Sequence, residues 1–283
     1  MISKPRYINI KGRLLDLSVP LVMGVINVTP DSFYAGSRKV ADNDIISAAG
    51  QMLSEGADII DVGGFSSRPG AKEIPSTEEQ TRVLPAIKLI SGTFPGAVIS
   101  VDTYRAEVAH RAVTECGASI INDISGGEAD RDMFSVIAQL NVPYILMHMQ
   151  GTPETMQVNP VYNDVVADIL MWFGERIIRL QSLGVKDIII DPGFGFGKRP
   201  EHNFELLRRL EEFTVAGLPL LAGLSRKSMI WRTLGINPGE ALNGTIVLNT
   251  IALMKGADIL RVHDVREAVQ ARELVLKTKS AIK

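Results

Sequence analysis

E-G-A-D-I-I-D-V-G-G, residues 55–64, holds the unit from which the rest of the chain can be read. Gly56 stands where a helix closes, because glycine takes the left-handed conformation of a helix end without strain. Asp58 to Gly64 is a short apolar run that passes a polar residue, Asp61. Working outward, the same form recurs. L-V-M-G-V-I-N ends at Asn27, V-I-S-V-D at Asp102, and S-I-I-N-D at Asn122 and Asp123. Y-I-L-M-H ends at His148, D-I-I-I-D at Asp191, P-L-L-A-G-L-S-R-K at Arg226 and Lys227, and I-L-R-V-H-D carries Arg261, His263 and Asp264. Val- and Ile-rich runs of this length suit parallel strands buried on both faces. Eight of them, each leaving on a polar group, predict an α/β (β/α)8 TIM barrel with its chemistry at one rim.

The segments between these runs have helical spacing, as at Ile45, Ile46, Ala49, Met52 and Leu53, and again over Glu107–Val113 and Val165–Leu180. Gly117, Gly184 and Gly256 stand where Gly56 does, just before a strand. K-G-A-D-I-L at 255–260 nearly repeats E-G-A-D-I-I at 55–60, a weak internal repeat of βα units. Tyr7 to Leu17 reads as an N-terminal β-hairpin turning at Lys11-Gly12 and closing the barrel's N-terminal face. An open doubly wound sheet is the competing architecture. The count of eight strands favours closure, as does the lack of a Gly-x-Gly-x-x-Gly turn after the first strand. No linker composition interrupts the chain, so residues 1–283 are expected to form a single domain.

Composition narrows the function. A net charge of -2 gives no basic excess for nucleic acid, and the single cysteine, Cys116, fits a reducing compartment. No apolar run is long enough for a membrane helix, and the N-terminus lacks a signal-peptide core. A soluble cytoplasmic protein with no membrane partner is expected.

The expected rim divides by charge. Asp102, Asn122 and Asp191 supply two carboxylates and an amide, which can read the donor edge of a flat heterocycle bearing an amino-amidine group. Helix capping is the alternative use of Asp102 or Asp191. Arg68, Arg226, Lys227, Arg261 and His263 are opposite in sign, and arginine forks match phosphate oxygens. Five such donors suggest a substrate with two phosphates; ion pairing with the rim aspartates is the competing reading. No His-x-His or His-Glu-x-x-His spacing marks a zinc site. Mg2+ held mostly by substrate phosphate and water, with one protein oxygen such as Asn27, would leave little trace in a sequence. The loops at 27–38 and 63–71 combine Gly, Pro, hydroxyls and an arginine, as mobile covers do.

N-V-T-P-D-S-F (27–33), S-R-P-G-A (67–71), D-P-G-F-G-F-G-K (191–198), S-R-K-S (225–228) and R-V-H-D (261–264) together resemble the dihydropteroate synthases of bacterial folate synthesis. V-D-T (101–103), N-D-I (122–124) and L-M-H-M-Q-G-T-P (146–153) fit the same pattern, and the resemblance runs through all eight units in order. It implies condensation of 6-hydroxymethyl-7,8-dihydropterin diphosphate with para-aminobenzoate to dihydropteroate plus pyrophosphate, by a dissociative route. Asp102, Asn122, Asp191 and Lys227 match pterin-binding positions, with Met147, Phe196 and Gly223 lining the same slot. Asn27 matches the Mg2+ position, and Arg261 and His263 the diphosphate pair. Phe33, Ser67, Arg68, Pro69, Arg226 and Ser228 match positions around the aminobenzoate and the two loops. Catalysis would rest on Asp102, Lys227, Arg261, His263 and Arg68. The family is usually a homodimer and is the target of sulfonamides.

The chain departs from the family pattern at Ala35, where an aspartate is usual, at Phe65, where a glutamate is, and at Ser67, where a threonine is. Two other functions share the acidic pocket: a pterin-dependent methyltransferase domain, and a catalytically weakened pterin-binding paralogue, for which Ala35 is the motive.

Overall fold

The computed structural model describes residues 7–29, 38–66, 70 and 73–281, with backbone only at 38–41. Two short strands, β1 (Tyr7–Ile10) and β2 (Arg13–Asp16), pair antiparallel about Lys11 and Gly12, both at positive φ (50° and 90°). This is the turn geometry that a two-residue hairpin requires.

Eight parallel strands follow: β3 (Leu21–Asn27), β4 (Ile59–Gly63), β5 (Ile99–Asp102), β6 (Ile120–Asp123), β7 (Tyr144–Met147), β8 (Ile188–Asp191), β9 (Leu221–Ala222) and β10 (Ile259–Val262). They lie in the order β8-β7-β6-β5-β4-β3-β10-β9. A single bridge between Ile190 and Leu220 closes the ring, with Ile190 N–H donating to the Pro219 carbonyl at 2.9 Å. The barrel is therefore thinnest at β9. The run P-L-L-A-G pairs over only two residues because Pro219 has no N–H and Gly223 favours no extended state.

The helices between the strands are α1 (Arg38–Ser54), α2 (Ser76–Thr93), α3 (Ala106–Arg111), α4 (Met133–Leu140), α5 (Val165–Ser182), α6 (Pro200–Arg208), α7 (Ser228–Leu234), α8 (Leu242–Met254) and α9 (Val265–Ser280). The helix expected over Glu107–Val113 continues past α3 as one π-helical segment, Ala112–Cys116, before Gly117 ends it at φ 100°. Gly56, Gly184 and Gly256 likewise sit at φ 99°, 88° and 93°. The repeated phrase has one structural task in both copies. An Asp58 carboxylate oxygen accepts the Val22 N–H at 2.8 Å, and Asp258 accepts the Leu220 N–H at 2.7 Å. Each aspartate ties the entry of a neighbouring strand to its own.

Side chains alternate strictly between two cores. Outward residues such as Val22, Ile60, Val101, Ile121, Leu146, Ile190 and Leu260 pack beneath the helices. Inward residues Leu21, Met23, Ile59, Val98, Ile120, Ile145, Ile189, Leu221 and Ile259 fill the N-terminal half of the barrel, and Ile8, Ile10 and Leu17 of the hairpin cover them. The hairpin is thus a plug. Replacing buried Ile8 by Ala should destabilise the protein by about 2–4 kcal/mol, read as a lower urea midpoint at unchanged slope. A change below about 0.5 kcal/mol would show that the hairpin does not complete the core.

Candidate active site

The same alternation that packs Ile59 inward aims Asp61 inward two residues later. By this rule Ser100 and Asp102, Asn122, Met147, Asp191, Gly223 and Arg261 also project into the barrel, above the apolar layer. The interior changes from apolar to charged within one strand step, and Arg261 links the charges. Its Nε donates to Asp61 at 2.7 Å and its terminal nitrogen to Asp102 at 2.7 Å. Asn122 donates to the same Asp61 oxygen at 3.0 Å. Asp61 is fully buried and Asp102 nearly so. Taking away the one cation would strand two desolvated carboxylates, a loss of about 3–5 kcal/mol. Burial works against the guanidinium charge, but Asp61 and Asp102 outweigh it and raise the pKa of Arg261.

Three buried acceptors in this layer have no hydrogen-bond partner among the described residues: Asp61 Oδ1, Asp102 Oδ1 and Ser100 Oγ. Bare carboxylate oxygens at this depth are costly unless something donates to them. Burial raises the Asp102 pKa to about 7, against the pull of Arg261 and with the push of Asp61. Asp191 is raised too, by burial, while the Gly193 N–H at 2.8 Å and Lys227 oppose the shift. Neither Asp102 nor Asp191 caps a helix: Asp102 faces Arg261, and Asp191 holds its own turn.

Lys227 comes in from the turn after β9. Its ammonium donates to the Phe194 carbonyl and lies 4.2 Å from the centre of the Phe196 ring. Burial lowers its pKa to about 7, and Asp191 partly restores it. Above the acids, Phe65, Ile124, Met147, Met149, Met156 and Phe196 form a separate apolar cluster, with Ile74 and Tyr104 at its edge. Phe65 meets Tyr104 edge to face at 4.9 Å. Where a polar residue would be the family's choice, the chain has an aromatic that joins the wall holding Met147 and Phe196. The mouth therefore has an acidic floor and apolar sides, the shape and polarity of a site for a flat ring with donors along one edge.

The basic side is smaller than the sequence suggested. Arg226, at φ 53°, gives both forks to Asp264 at 2.9 and 2.8 Å and a third bond to the Gly239 carbonyl. The ion-pairing alternative therefore describes both Arg226 and Arg261. His263 is exposed at the rim; desolvation of the ring, then Arg261 beside it, lower its pKa, which favours the neutral imidazole near pH 7. Its backbone N–H donates to Ser225 Oγ at 3.3 Å, and Ser225 Oγ lies 3.0 Å from His263 Nδ1. With the Ser225 hydroxyl donating to Nδ1, the tautomer that carries its proton on Nε2 would present Nε2–H at the rim. Ser228 opens α7 beside this turn.

Asn27 ends β3 next to Gly63, whose missing side chain leaves room between Asn27 Oδ1 and Asp102; a Cβ there would lie 3.5 Å from both the amide oxygen and the Asp102 Cβ. Among the described residues no three His, Cys, Asp or Glu side chains form a metal-binding group. A neutral amide oxygen with carboxylate nearby fits a hard cation that takes most of its ligands from phosphate and water. Phe33, Ala35, Ser67, Arg68 and Pro69 lie outside the described residues. Asp61 and Ser225 both lie in phrases read from the sequence, but neither was given a task in the site. Counting two residues on from the inward Ile59 turns the first into the barrel; the second follows only from its contact with His263.

A family model for pterin binding enzymes matches residues 23–263. The dihydropteroate synthase of Escherichia coli K12 is 47% identical over 273 residues, covering 96% of each chain. A crystal structure of Yersinia pestis dihydropteroate synthase in complex with a sulfonamide drug superposes with a TM-score of 0.90 at 41% identity, covering 97% of this chain and 99% of that one. The Xanthomonas albilineans dihydropteroate synthase with 4-aminobenzoic acid gives 0.89 at 38% identity, covering 97% and 98%. The chain belongs to the dihydropteroate synthase family of pterin-binding enzymes.

Proposed function

We propose that this rim joins 6-hydroxymethyl-7,8-dihydropterin diphosphate to para-aminobenzoate, releasing pyrophosphate and forming dihydropteroate. The observation that carries the reading is the pair of unpartnered carboxylate oxygens on Asp61 and Asp102 with Arg261 between them. The aminopyrimidinone edge of the pterin donates to the acids, with Asn122 and Asp191 completing the contact, and Met147 and Phe196 take the ring faces. Gly223 leaves open space beside Arg261, whose Cβ on the neighbouring strand is the nearest atom. Arg261 then exchanges a carboxylate for the diphosphate, and His263 Nε2–H adds a neutral donor.

The first step breaks the bond between the pterin methylene carbon and the diphosphate oxygen, whose electron pair leaves with the diphosphate. The methylene cation conjugates with the ring, and the Asp102 carboxylate stabilises it through a low-dielectric interior. The amine of para-aminobenzoate donates its lone pair to that carbon and afterwards loses one proton. Apolar walls at Phe65, Met147 and Phe196 keep water from the cation, since hydrolysis competes. Mg2+, when bound through Asn27 and the phosphates, would neutralise charge on the leaving group. Around the aminobenzoate we place Ser228 and, from the resemblance, Phe33, Ser67, Arg68, Pro69 and Arg226. A methyltransferase reading leaves Arg261 and His263 without a task.

Along α8, Val247, Ile251 and Met254 are exposed at helical spacing. We assign this row to a homodimer contact. No helix among the described residues is long and apolar enough to cross a membrane, and the cytoplasm is the compartment we expect.

Incubation with the pterin diphosphate, Mg2+ and para-aminobenzoate should yield dihydropteroate and pyrophosphate in equal amounts. No product above background would end this reading and support a weakened paralogue. The active ionisation state has Asp102 charged and Lys227 protonated. With both held near pH 7, acid removes the first charge and base the second. The profile of kcat/KM for the pterin diphosphate should be a narrow bell centred near neutrality, its limbs belonging to the cluster as a whole. The kcat profile should be broader, because pterin donors favour the carboxylate and diphosphate favours the ammonium. A kcat/KM profile flat across neutrality would contradict the assignment.

A further inference from the structure

The turn D-P-G-F-G-F-G-K (191–198) ends in a lysine that the reaction above does not use. Lys198 is 2% exposed, yet it has no carboxylate bonded to it. Its Nζ lies 2.9 Å from the Phe196 carbonyl, 3.0 Å from the Gly193 carbonyl, 3.3 Å from the His148 carbonyl and 3.0 Å from His148 Nδ1. Nζ thus has four polar neighbours, three carbonyl oxygens and a ring nitrogen; burial pushes the lysine pKa well down, and an ammonium can donate to three of the four where a neutral amine donates to two.

The position of these carbonyls explains the lysine. Gly193, Gly195 and Gly197 all take positive φ (71°, 82° and 61°), which turns the chain back on itself. A side chain at Gly193 would collide with the His148 carbonyl. Carbonyl dipoles gathered at one point repel unless a cation sits among them. The same turn supplies both groups that hold Lys227: the Phe194 carbonyl and the Phe196 ring. Asn203 on α6 braces it from behind, accepting the Gly195 N–H at 2.7 Å and donating to the Lys198 carbonyl at 3.3 Å. Through His148, the lysine also fixes the end of β7, one residue beyond Met147.

We infer that Lys198 is a positioning residue of the pterin slot: its buried amino group gathers the Gly193, Phe196 and His148 carbonyls and thereby sets the Phe196 ring and the Phe194 carbonyl against Lys227. The inference rests on the reading that Lys227 and Phe196 contact the pterin. A misplaced wall costs binding of the ring and orientation of the reacting carbon, and leaves the aminobenzoate side alone.

The test uses the full chain and 6-hydroxymethyl-7,8-dihydropterin, which lacks the diphosphate and so probes the slot by itself. Lys198→Met keeps the length of the side chain and removes the donors. Calorimetry should give a dissociation constant raised about tenfold or more, and kcat should fall with it. KM for para-aminobenzoate at saturating pterin diphosphate should stay within about twofold. A folded Lys198→Met protein with unchanged pterin affinity and a lower melting temperature alone would overturn the inference, because that is what a merely structural lysine gives. Where Lys198→Met is not recovered folded, Lys198→Gln, with two donors and a shorter reach, should show the same split. If neither folds, the lysine is a folding element and the positioning role falls. Wild-type protein that does not bind the pterin alcohol refutes the slot assignment itself; normal binding by wild type and variant alike refutes the role of Lys198 only.

Discussion

Arg261 suspended between Asp61 and Asp102 is the interaction on which the rest of this structure depends. A barrel interior cannot hold two bare carboxylates side by side, since desolvation and mutual repulsion both oppose it. One guanidinium between them resolves this, and it leaves one oxygen of each acid with no partner among the described residues. Those oxygens call for donors, and a guanidinium whose acids gain other donors can turn to an anion. The arrangement suits a ligand that brings both, hydrogen-bond donors at one end and phosphate at the other. Binding the two ends together is easier than binding either alone, because each partner exchange compensates the other.

The remainder of the fold serves that interior. The hairpin seals the far end, so that the charged layer rests on a packed floor of Met23, Ile120, Ile145, Ile189 and their neighbours. Asp58 and Asp258 fix the strand entries that set the height of Asp61 and Arg261 in the barrel. The thin seam at β9 lets the turn of 223–227 swing Lys227 over the mouth, where the glycine turn receives it. Ser225 orients His263, and Asp264 holds Arg226, so these two basic groups of the rim each have a defined partner.

Much of this was legible in the sequence. Eight polar strand exits and four helix-ending glycines marked the barrel, because parallel strands buried on both faces and left-handed helix ends demand particular residue types. Asp102, Asn122 and Asp191 were visible as exits. Asp61 was visible only as a polar residue inside its run, with no task in the site; strand parity is what turns it inward. The state of the basic side was also hidden. That Arg226 is committed to Asp264 and that His263 meets Ser225 depend on partners 38 residues away, which a motif does not record. Lys198 was part of a recognised phrase, but its task follows only from where the carbonyls converge.

The central claim, that Arg261, paired with Asp61 and Asp102, is the diphosphate ligand, is open to one direct measurement. Calorimetric titration of wild type and Arg261→Ala with the pterin diphosphate and with pteroate compares a ligand that carries the leaving group with one that lacks it. The account predicts that the substitution weakens the diphosphate ligand by about a hundredfold or more, from loss of a buried charge-assisted contact, and weakens pteroate far less. Equal losses for both ligands would contradict it, and would make Arg261 a support of the acid cluster alone.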